Sequence, residues 1–233
     1  MNNLEIKLVR HGQSLANTGE LNPAEVGDHN IPLSKLGIQQ ARATGKTLGR
    51  DFIENALIYA SPYRRTRETL TGILEGAEVK REDLRIYEDP RLREVEFGYT
   101  DVPSQQELRR THGWFYYRFN GGESPADCYD RTSGFLEGLL RQSRRKQVQR
   151  ILIVTHGLTI RCFVMRYLHL TVEQFDLLAN PENAEIVTIE SKNNIVNPQF
   201  STSKWGVTGL RFYSPENEVI SPKSGETSSA SNL

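Results

Sequence analysis

Short apolar runs alternate along this chain with longer segments whose apolar residues recur at helical spacing. The short runs predict strands at 6–9, 57–60, 84–87, 151–154 and 185–190, the last of them at an edge of the sheet. The longer segments predict helices at 34–50, 61–74, 104–119, 124–146, after Gly157, and at 171–178. This alternation indicates an α/β fold with a mostly parallel central sheet.

Two of the predicted strands end in a histidine–glycine pair. His11 follows the run at 6–9, and His156 follows the run at 151–154. Ligands of open α/β sheets bind beyond the carboxyl ends of the strands, so the two imidazoles share a site if their strands are neighbours. The guanidinium of Arg10, next to His11, indicates that the ligand is an anion.

Capping signals and a long polar segment refine this outline. Residues 13–33 contain Asn, Gly and Pro and are long enough to form a functional loop. Ser34 and Ser61 each precede a helical pattern and are predicted to cap it, with Pro62 in the first turn of the second helix. Ser124 is predicted to begin the longest helix.

Composition narrows the class of protein. The chain has 233 residues and equal numbers of basic and acidic side chains, 29 of each, so its zero net charge gives no general attraction for nucleic acid. The apolar runs are too short for a bilayer, and the N-terminus lacks the pattern of a signal peptide. Cys128 and Cys162 stand outside any metal-binding spacing. We therefore expect a cytoplasmic protein with no metal, no cofactor, and no membrane or nucleic-acid partner.

The domain organisation is predicted to be simple. One domain over residues 1–213 accounts for all the strand and helix patterns, and the chain is long enough to bury one substantial core. From residue 214 onward Ser and Pro replace most apolar residues. The segment 214–233 is therefore predicted to be a disordered tail.

Four clusters of polar residues lie at strand ends or in loops and have chemistry in common. They are the triplet at 10–12 (Arg-His-Gly), the run at 61–69 with three arginines, the loop at 92–98 with two glutamates, and the triplet at 155–157 (Thr-His-Gly). In this order they resemble the histidine phosphatase superfamily, also called phosphoglycerate-mutase-like, over about residues 7–191. Asn17 and the stretch 31–37 agree with the same pattern, and the chain looks closest to plant and fungal phosphoglycerate-mutase-like proteins.

The resemblance implies a three-layer α/β sandwich and a role for each matching residue. His11 matches the nucleophile, since a neutral imidazole attacks phosphorus readily and its phosphoramidate is later hydrolysed. A cage of donors then stabilises the charge on the transferred phosphoryl group. The residues that match this phosphate pocket are Arg10, Asn17, Arg65 and His156.

Two glutamates of the loop at 92–98 are candidates for the proton donor. Glu94 matches the family's L-x-E position, where a carboxyl group protonates the leaving oxygen and then activates water. Glu96 lies one step off that position and is the alternative. Arg64 and Arg67 flank the phosphate arginine and are open to a surface role or a substrate contact. The sequence leaves two roles for four aromatic residues, which either line the entrance to the substrate site or pack in the core: Tyr63, Trp114, Tyr116 and Tyr117.

Three functions are compatible with this set of residues. The first is a histidine acid-type phosphatase, a metal-independent phosphomonoester hydrolase that acts on a small phosphorylated metabolite. The second is a phosphoglycerate mutase, but its characteristic tryptophans are missing, since the matching stretches read Leu-Ala-Asn at 15–17 and Gly-Asp-His at 27–29. The third is a non-catalytic phosphate-binding protein, which nothing in the sequence favours. Phosphatase is the leading hypothesis.

Overall fold

The computed structural model describes residues 4–98, 105–213 and 219–220, with the backbone alone at 106 and 219–220. The strands formed within these residues are β1 (Glu5–Arg10), β2 (Ala56–Ala60), β3 (Ile86–Glu88), β4 (Arg150–Thr155), β5 (Leu178–Ala179), β6 (Ile186–Ser191), β7 (Phe200–Ser201), β8 (Trp205–Thr208), β9 (Arg211–Tyr213) and β10 (Val219–Ile220). The helices are α1 (Pro23–Val26), α2 (Lys35–Leu48), α3 (Arg50–Glu54), α4 (Arg64–Gly76), α5 (Gln106–His112), α6 (Pro125–Lys146), α7 (Gly157–Leu168) and α8 (Val172–Asp176).

A central sheet organises the fold. Its strand order is β3-β2-β4-β1-β6-β8-β7, and the first four strands run parallel. Strands β6, β8 and β7 pair antiparallel beyond β1. A small second sheet has the order β10-β9-β5. The predicted α/β class with a mostly parallel core is therefore confirmed.

Helices cover both faces of the sheet and make three layers. On one face, helices α2, α3 and α4 pack against strand residues such as Val9, Ile58 and Val154. On the other face, α6 and α7 pack against their strand neighbours, among them Leu8 and Ile153. Successive residues of a strand point to opposite faces, and the central strands therefore need apolar residues throughout. The apolar runs of the sequence are continuous because these strands are buried on both faces.

The strand predicted at 185–190 is present as β6, but the prediction that it lies at an edge of the sheet is wrong. Strand β6 lies inside, between β1 and β8. The short strands β7 and β8 cover that side, and they are too brief for the hydrophobic pattern to predict. Strands β9 and β5, which build the second sheet, were missed for the same reason.

Helix starts and ends follow the predictions in part. Ser34 and Ser124 cap α2 and α6 as predicted, each accepting from a backbone amide of the first turn. The prediction for Ser61 is wrong, since α4 begins at Arg64 and the cap position belongs to Tyr63. The predicted helix at 104–119 ends at His112 instead, where Gly113 adopts a φ of 86°. Helix α8 ends at Asp176, because the next residues join strand β5.

Other expectations concern surface and terminal features. Both cysteines are buried free thiols. Within the described ranges, no helix has the length and apolar character needed to cross a membrane. The predicted tail at 214–233 lies outside the described residues except at strand β10, which pairs with β9, so its disorder stays a prediction.

Candidate active site

The pairing of β1 with β4 brings the two histidine–glycine turns together. The strands are parallel neighbours, with Arg10 opposite Thr155, so His11 and His156 follow at the same level of the sheet. The backbone amide of His11 continues the ladder by donating to the Thr155 carbonyl at 2.9 Å. The imidazole centroids lie 5.2 Å apart, edge to face. The structure therefore brings the two predicted histidines together at the same edge of the sheet.

The glycine after each histidine is required by the close approach of other groups. A Cβ on Gly12 would lie 2.5 Å from the carbonyl oxygen of Gly37, at the start of α2. A Cβ on Gly157 would lie 2.7 Å from the side chain of Asn180. Both distances are too short for non-bonded atoms, so only glycine lets the chain turn here without displacing a neighbour.

His11 is held as a neutral imidazole with one defined tautomer. Its Nδ1 lies 2.8 Å from the carbonyl oxygen of Gly12. A carbonyl only accepts, so Nδ1 must carry the proton and Nε2 keeps its lone pair. Burial lowers the pKa of His11 well below its usual value, and the charges of Arg65 and Arg10 lower it further. His11 therefore presents an uncharged, nucleophilic nitrogen.

His156 is equally buried and has a hydroxyl partner. Its Nε2 lies 2.8 Å from Oγ of Ser61, at the end of β2, and the ring of Tyr63 packs against it at 5.1 Å. Burial, then the charge of Arg65, lowers the pKa of His156 well below its usual value. Its Nδ1 is buried without a hydrogen-bond partner among the described residues. A buried ring nitrogen without a partner is free to contact a ligand.

Arg65 is the buried arginine of the helix α4 start. Its side chain is 5% exposed, whereas Arg64 and Arg67 are exposed and pair with Glu68 and Glu88. The structure therefore brings Arg65 alone of these three to the histidines, where its charge acts on both imidazoles.

Arg10 is the second arginine whose charge acts on both histidines. Its Nη1 donates to the carbonyl of Pro181 at 2.6 Å, and its Nε is buried with no partner among the described residues. Burial lowers the pKa of Arg10, while the nearby charge of Glu94 opposes this shift. The charges of two guanidiniums thus act on His11, and His156, with its unpartnered Nδ1, lies beside it, as expected of an anion site.

Glu94 is fixed at the N-terminus of α7, immediately after His156. Its carboxylate accepts from the amides of Leu158 at 3.2 Å and Thr159 at 3.3 Å, and from the Thr159 hydroxyl at 3.3 Å. A helix N-terminus is a favourable place for a carboxylate. Glu96 is exposed, and its backbone carbonyl accepts from Glu123. The structure therefore brings Glu94, and not Glu96, to the helix that carries His156.

Asn17 reaches the site through a bridging side chain. The amide nitrogen of Asn183 donates both to the backbone carbonyl of His11 and to Oδ1 of Asn17, each at 3.2 Å. The backbone amide of Ser14 donates to the same oxygen at 3.0 Å. These bonds fix the orientation of the Asn17 amide, whose nitrogen is left to donate.

Three residues of the site were missed from the sequence. The sequence predicts Ser61 as a helix cap, but the ladder of β2 continues through the Ser61 amide to the Val154 carbonyl, and the Ser61 hydroxyl contacts His156. Asp28 pairs with Arg65, and Asn183 joins His11 to Asn17. The sequence signal for Ser61 is a serine at the end of a predicted strand. For Asp28 and Asn183 the sequence offers only a polar residue outside the predicted strands and helices.

The aromatic residues divide between the site and the core. Tyr63 contacts His156, while Trp114 packs against Phe175 at 5.8 Å and Tyr116 is exposed. Tyr117 packs against Phe119 at 5.9 Å. Within the described part of the chain, no group of three or more potential ligands gathers as a metal site would require.

Comparison with known proteins identifies this arrangement. The model of the histidine phosphatase superfamily, branch 1, matches residues 6–199. The chain belongs to the histidine phosphatase superfamily. This match spans the elements that carry His11, Arg65, Glu94 and His156.

Individual relatives and a solved structure agree. The phosphoglycerate mutase-like protein AT74H of Arabidopsis thaliana is 39% identical over 206 residues, which cover 79% of this chain and 73% of the relative. The broad-range acid phosphatase DET1 of Saccharomyces cerevisiae is 27% identical, covering 82% and 86%. A mycobacterial glucosyl-3-phosphoglycerate phosphatase complexed with VO3 has the same fold, with a TM-score of 0.66, 22% identity, and coverage of 88% and 97%.

The buried neutral histidines make folding stability depend on pH. Both have pKa values well below 6.5 in the folded chain, so the unfolded chain binds more protons at acid pH. The free energy of unfolding should therefore fall as the pH drops from about 7 to about 5, by up to about 1.4 kcal/mol per pH unit for each imidazole. Urea unfolding at several pH values measures this slope.

The variant His11→Asn is the control, because it removes one of the two imidazoles and leaves the carboxyl groups in place. Its slope should be shallower than that of the wild type. Proton–nitrogen correlation NMR of the wild type should also show His11 neutral and protonated at Nδ1 near pH 6. A charged His11 at that pH, or equal slopes, would contradict the geometry described above.

Proposed function

We propose that this chain is a histidine acid-type phosphatase that hydrolyses a small phosphorylated metabolite through a phosphohistidine at His11. The observation that carries the proposal is the state of His11: its Nδ1–H bond to Gly12 leaves Nε2 with its lone pair, the charges of Arg65 and Arg10 disfavour its protonation, and the ring of His156 lies 5.2 Å away. An uncharged nitrogen in a cationic cage has the nucleophilicity and the surroundings that attack on a phosphate dianion needs.

In the first step, Nε2 of His11 forms a bond to phosphorus and the ester P–O bond breaks. The leaving oxygen takes a proton from Glu94, which lies at the start of α7 beside His156. Arg10, Arg65, His156 and Asn17 donate to the phosphoryl oxygens, where charge is greatest in the transition state. Two arginine forks suit these oxygens because each binds two of them at once.

In the second step, water attacks the phosphohistidine and the P–N bond breaks. Glu94, now ionised, accepts the proton of that water, and His11 returns to its neutral form. Inorganic phosphate then leaves the cage. None of these steps requires a metal or a cofactor, and we propose a metal-independent reaction.

Sequence and relatives favour hydrolysis over mutase transfer. The mutase tryptophans are absent, and Asp28 stands within one of the stretches where they occur. A relative that covers most of the chain, the yeast protein DET1, is named a broad-range acid phosphatase. The name of AT74H, phosphoglycerate mutase-like, describes a likeness to the mutases. A comparison of phosphate release with transfer between the positions of phosphoglycerate separates the two reactions.

Replacement of His11 by Ala should lower phosphatase activity by about 10³-fold or more, because the covalent route is lost. Activity is measured on a panel of phosphomonoesters in excess EDTA. Mass spectrometry of wild-type enzyme quenched during turnover, without acid, should place an added phosphate on His11. The phosphoramidate is labile to acid, so the quench matters. Near-normal activity in His11→Ala would overturn the proposal.

Replacement of Glu94 by Gln should impair alkyl phosphates far more than p-nitrophenyl phosphate. Alkoxide leaving groups need a proton, whereas p-nitrophenolate scarcely does, and general acids contribute about 10²–10⁴-fold. The matched control is Glu96→Gln, the neighbouring carboxyl on the same loop. It should reduce both substrates equally or not at all. If Glu96→Gln shows the dependence on leaving group and Glu94→Gln does not, the acid is misassigned.

A further inference from the structure

One end of the Arg65 guanidinium is already occupied by a carboxylate. Nη1 and Nη2 of Arg65 donate to the two oxygens of Asp28 at 2.8 and 3.0 Å, and Nη1 also donates to the Asp28 backbone carbonyl at 2.6 Å. The ring of Tyr63 lies against the guanidinium at 5.0 Å. A side chain with five donors is thus held by three hydrogen bonds and one aromatic face.

The remaining donors of Arg65 form its other edge. Within the described residues, Nε and the second N–H of Nη2 make no hydrogen bond. This edge has the geometry to bind two oxygens of one phosphate. Asp28 and a phosphate can therefore occupy Arg65 at the same time, on different edges.

The backbone on the C-terminal side of Asp28 is held by several contacts. These contacts fix the position of Asp28 relative to Arg65. Ile31, three residues on, is fully buried. The amide of Leu33 donates to Glu68 on α4 at 2.7 Å, and Leu33 forms a bridge with Ser14. Contacts from both sides therefore join the 13–33 loop to α4, next to Arg65.

We propose that Asp28 is a positioning residue for phosphate binding, which holds the end of Arg65 so that its Nε edge faces the phosphoryl group. It acts through Arg65 and does not touch the substrate. This inference rests on the proposed phosphatase function and adds a determinant of affinity that the phosphate-pocket motif lacks. The segment 13–33 thereby contributes to phosphate binding indirectly, through the position of Arg65.

The first test is the affinity for inorganic phosphate in Asp28→Asn. The amide places a donor against a donor of Arg65, which breaks the fork. We expect the dissociation constant for phosphate to rise about tenfold, as when one charge-assisted hydrogen bond is weakened. Competitive inhibition and phosphorus NMR titration measure it. Because an inhibition constant does not depend on how much enzyme is folded, simple destabilisation leaves it unchanged.

Two matched variants accompany this measurement. Glu88→Gln breaks the exposed ion pair between Glu88 and Arg67, which lies on α4 like Arg65. This variant should leave the phosphate affinity unchanged. Asp28→Glu keeps the charge and should recover part of the affinity. A fall in affinity as large for Glu88→Gln as for Asp28→Asn would mean that charge near α4, and not the position of Arg65, is responsible, and would overturn the proposal.

A double-mutant cycle tests whether Asp28 acts through Arg65. In an Arg65→Ala background, Asp28→Asn should have no further effect on phosphate affinity, because the side chain that it positions is gone. An independent loss in that background contradicts the proposal. Tighter phosphate binding in Asp28→Asn alone also contradicts it, since Asp28 would then compete with the ligand for Arg65.

The outcomes also separate this inference from the function on which it rests. A wild type that hydrolyses phosphomonoesters, with unchanged or tighter phosphate binding in Asp28→Asn, overturns only the role of Asp28. A wild type that neither hydrolyses phosphomonoesters nor binds phosphate overturns both.

Discussion

The parallel pairing of β1 with β4 is the constraint on which the rest of the site depends. Its register puts Arg10 opposite Thr155, so two chain segments about 145 residues apart deliver their histidines side by side. Strand β2, on the other side of β4, pairs Ala60 with Val154, so Ser61 follows level with Thr155 and its hydroxyl reaches His156. A slip of one residue would turn one imidazole to the opposite face of the sheet. The continuous apolar runs, buried on both faces, secure this register.

Charge and burial act in the same direction on His11, and together they set its protonation state. Two arginines near a buried imidazole make its protonation unfavourable, which keeps Nε2 nucleophilic. The same burial penalises a guanidinium that lacks a partner, since removing one member of a buried ion pair costs about 3–5 kcal/mol. Asp28 supplies that partner to Arg65 without using its Nε edge. On the proposed function, Arg65 is therefore paired before the phosphate arrives and keeps its Nε edge for the phosphate.

Sequence reasoning predicted the residues that follow strands or start a helix, and the family pattern added Asn17 and Glu94 from outside regular structure. His11 and His156 end long apolar strands, and Arg65 lies in a helix start, so their positions follow from periodicity and from a family pattern. The partners that orient them do not. Asp28 lies in a 3-10 turn (Asp28–Asn30) and Asn183 in a loop, and both reach the site by tertiary contacts, while Ser61 satisfies the local rules of a cap as well as those of a strand end. The sequence predicts an edge position for β6 because the two-residue strand β7 and the four-residue strand β8 are too short to show a hydrophobic pattern.

The central claim is that phosphoryl transfer passes through His11 in two displacements. The most direct measurement is the stereochemistry at phosphorus, with a phosphorothioate monoester whose two non-bridging oxygens are different isotopes and which is hydrolysed in water of the third oxygen isotope, so that the inorganic thiophosphate released is itself chiral. Each in-line displacement inverts phosphorus, so attack by His11 and then by water predicts net retention. Net inversion would show a single direct attack by water and would contradict the account.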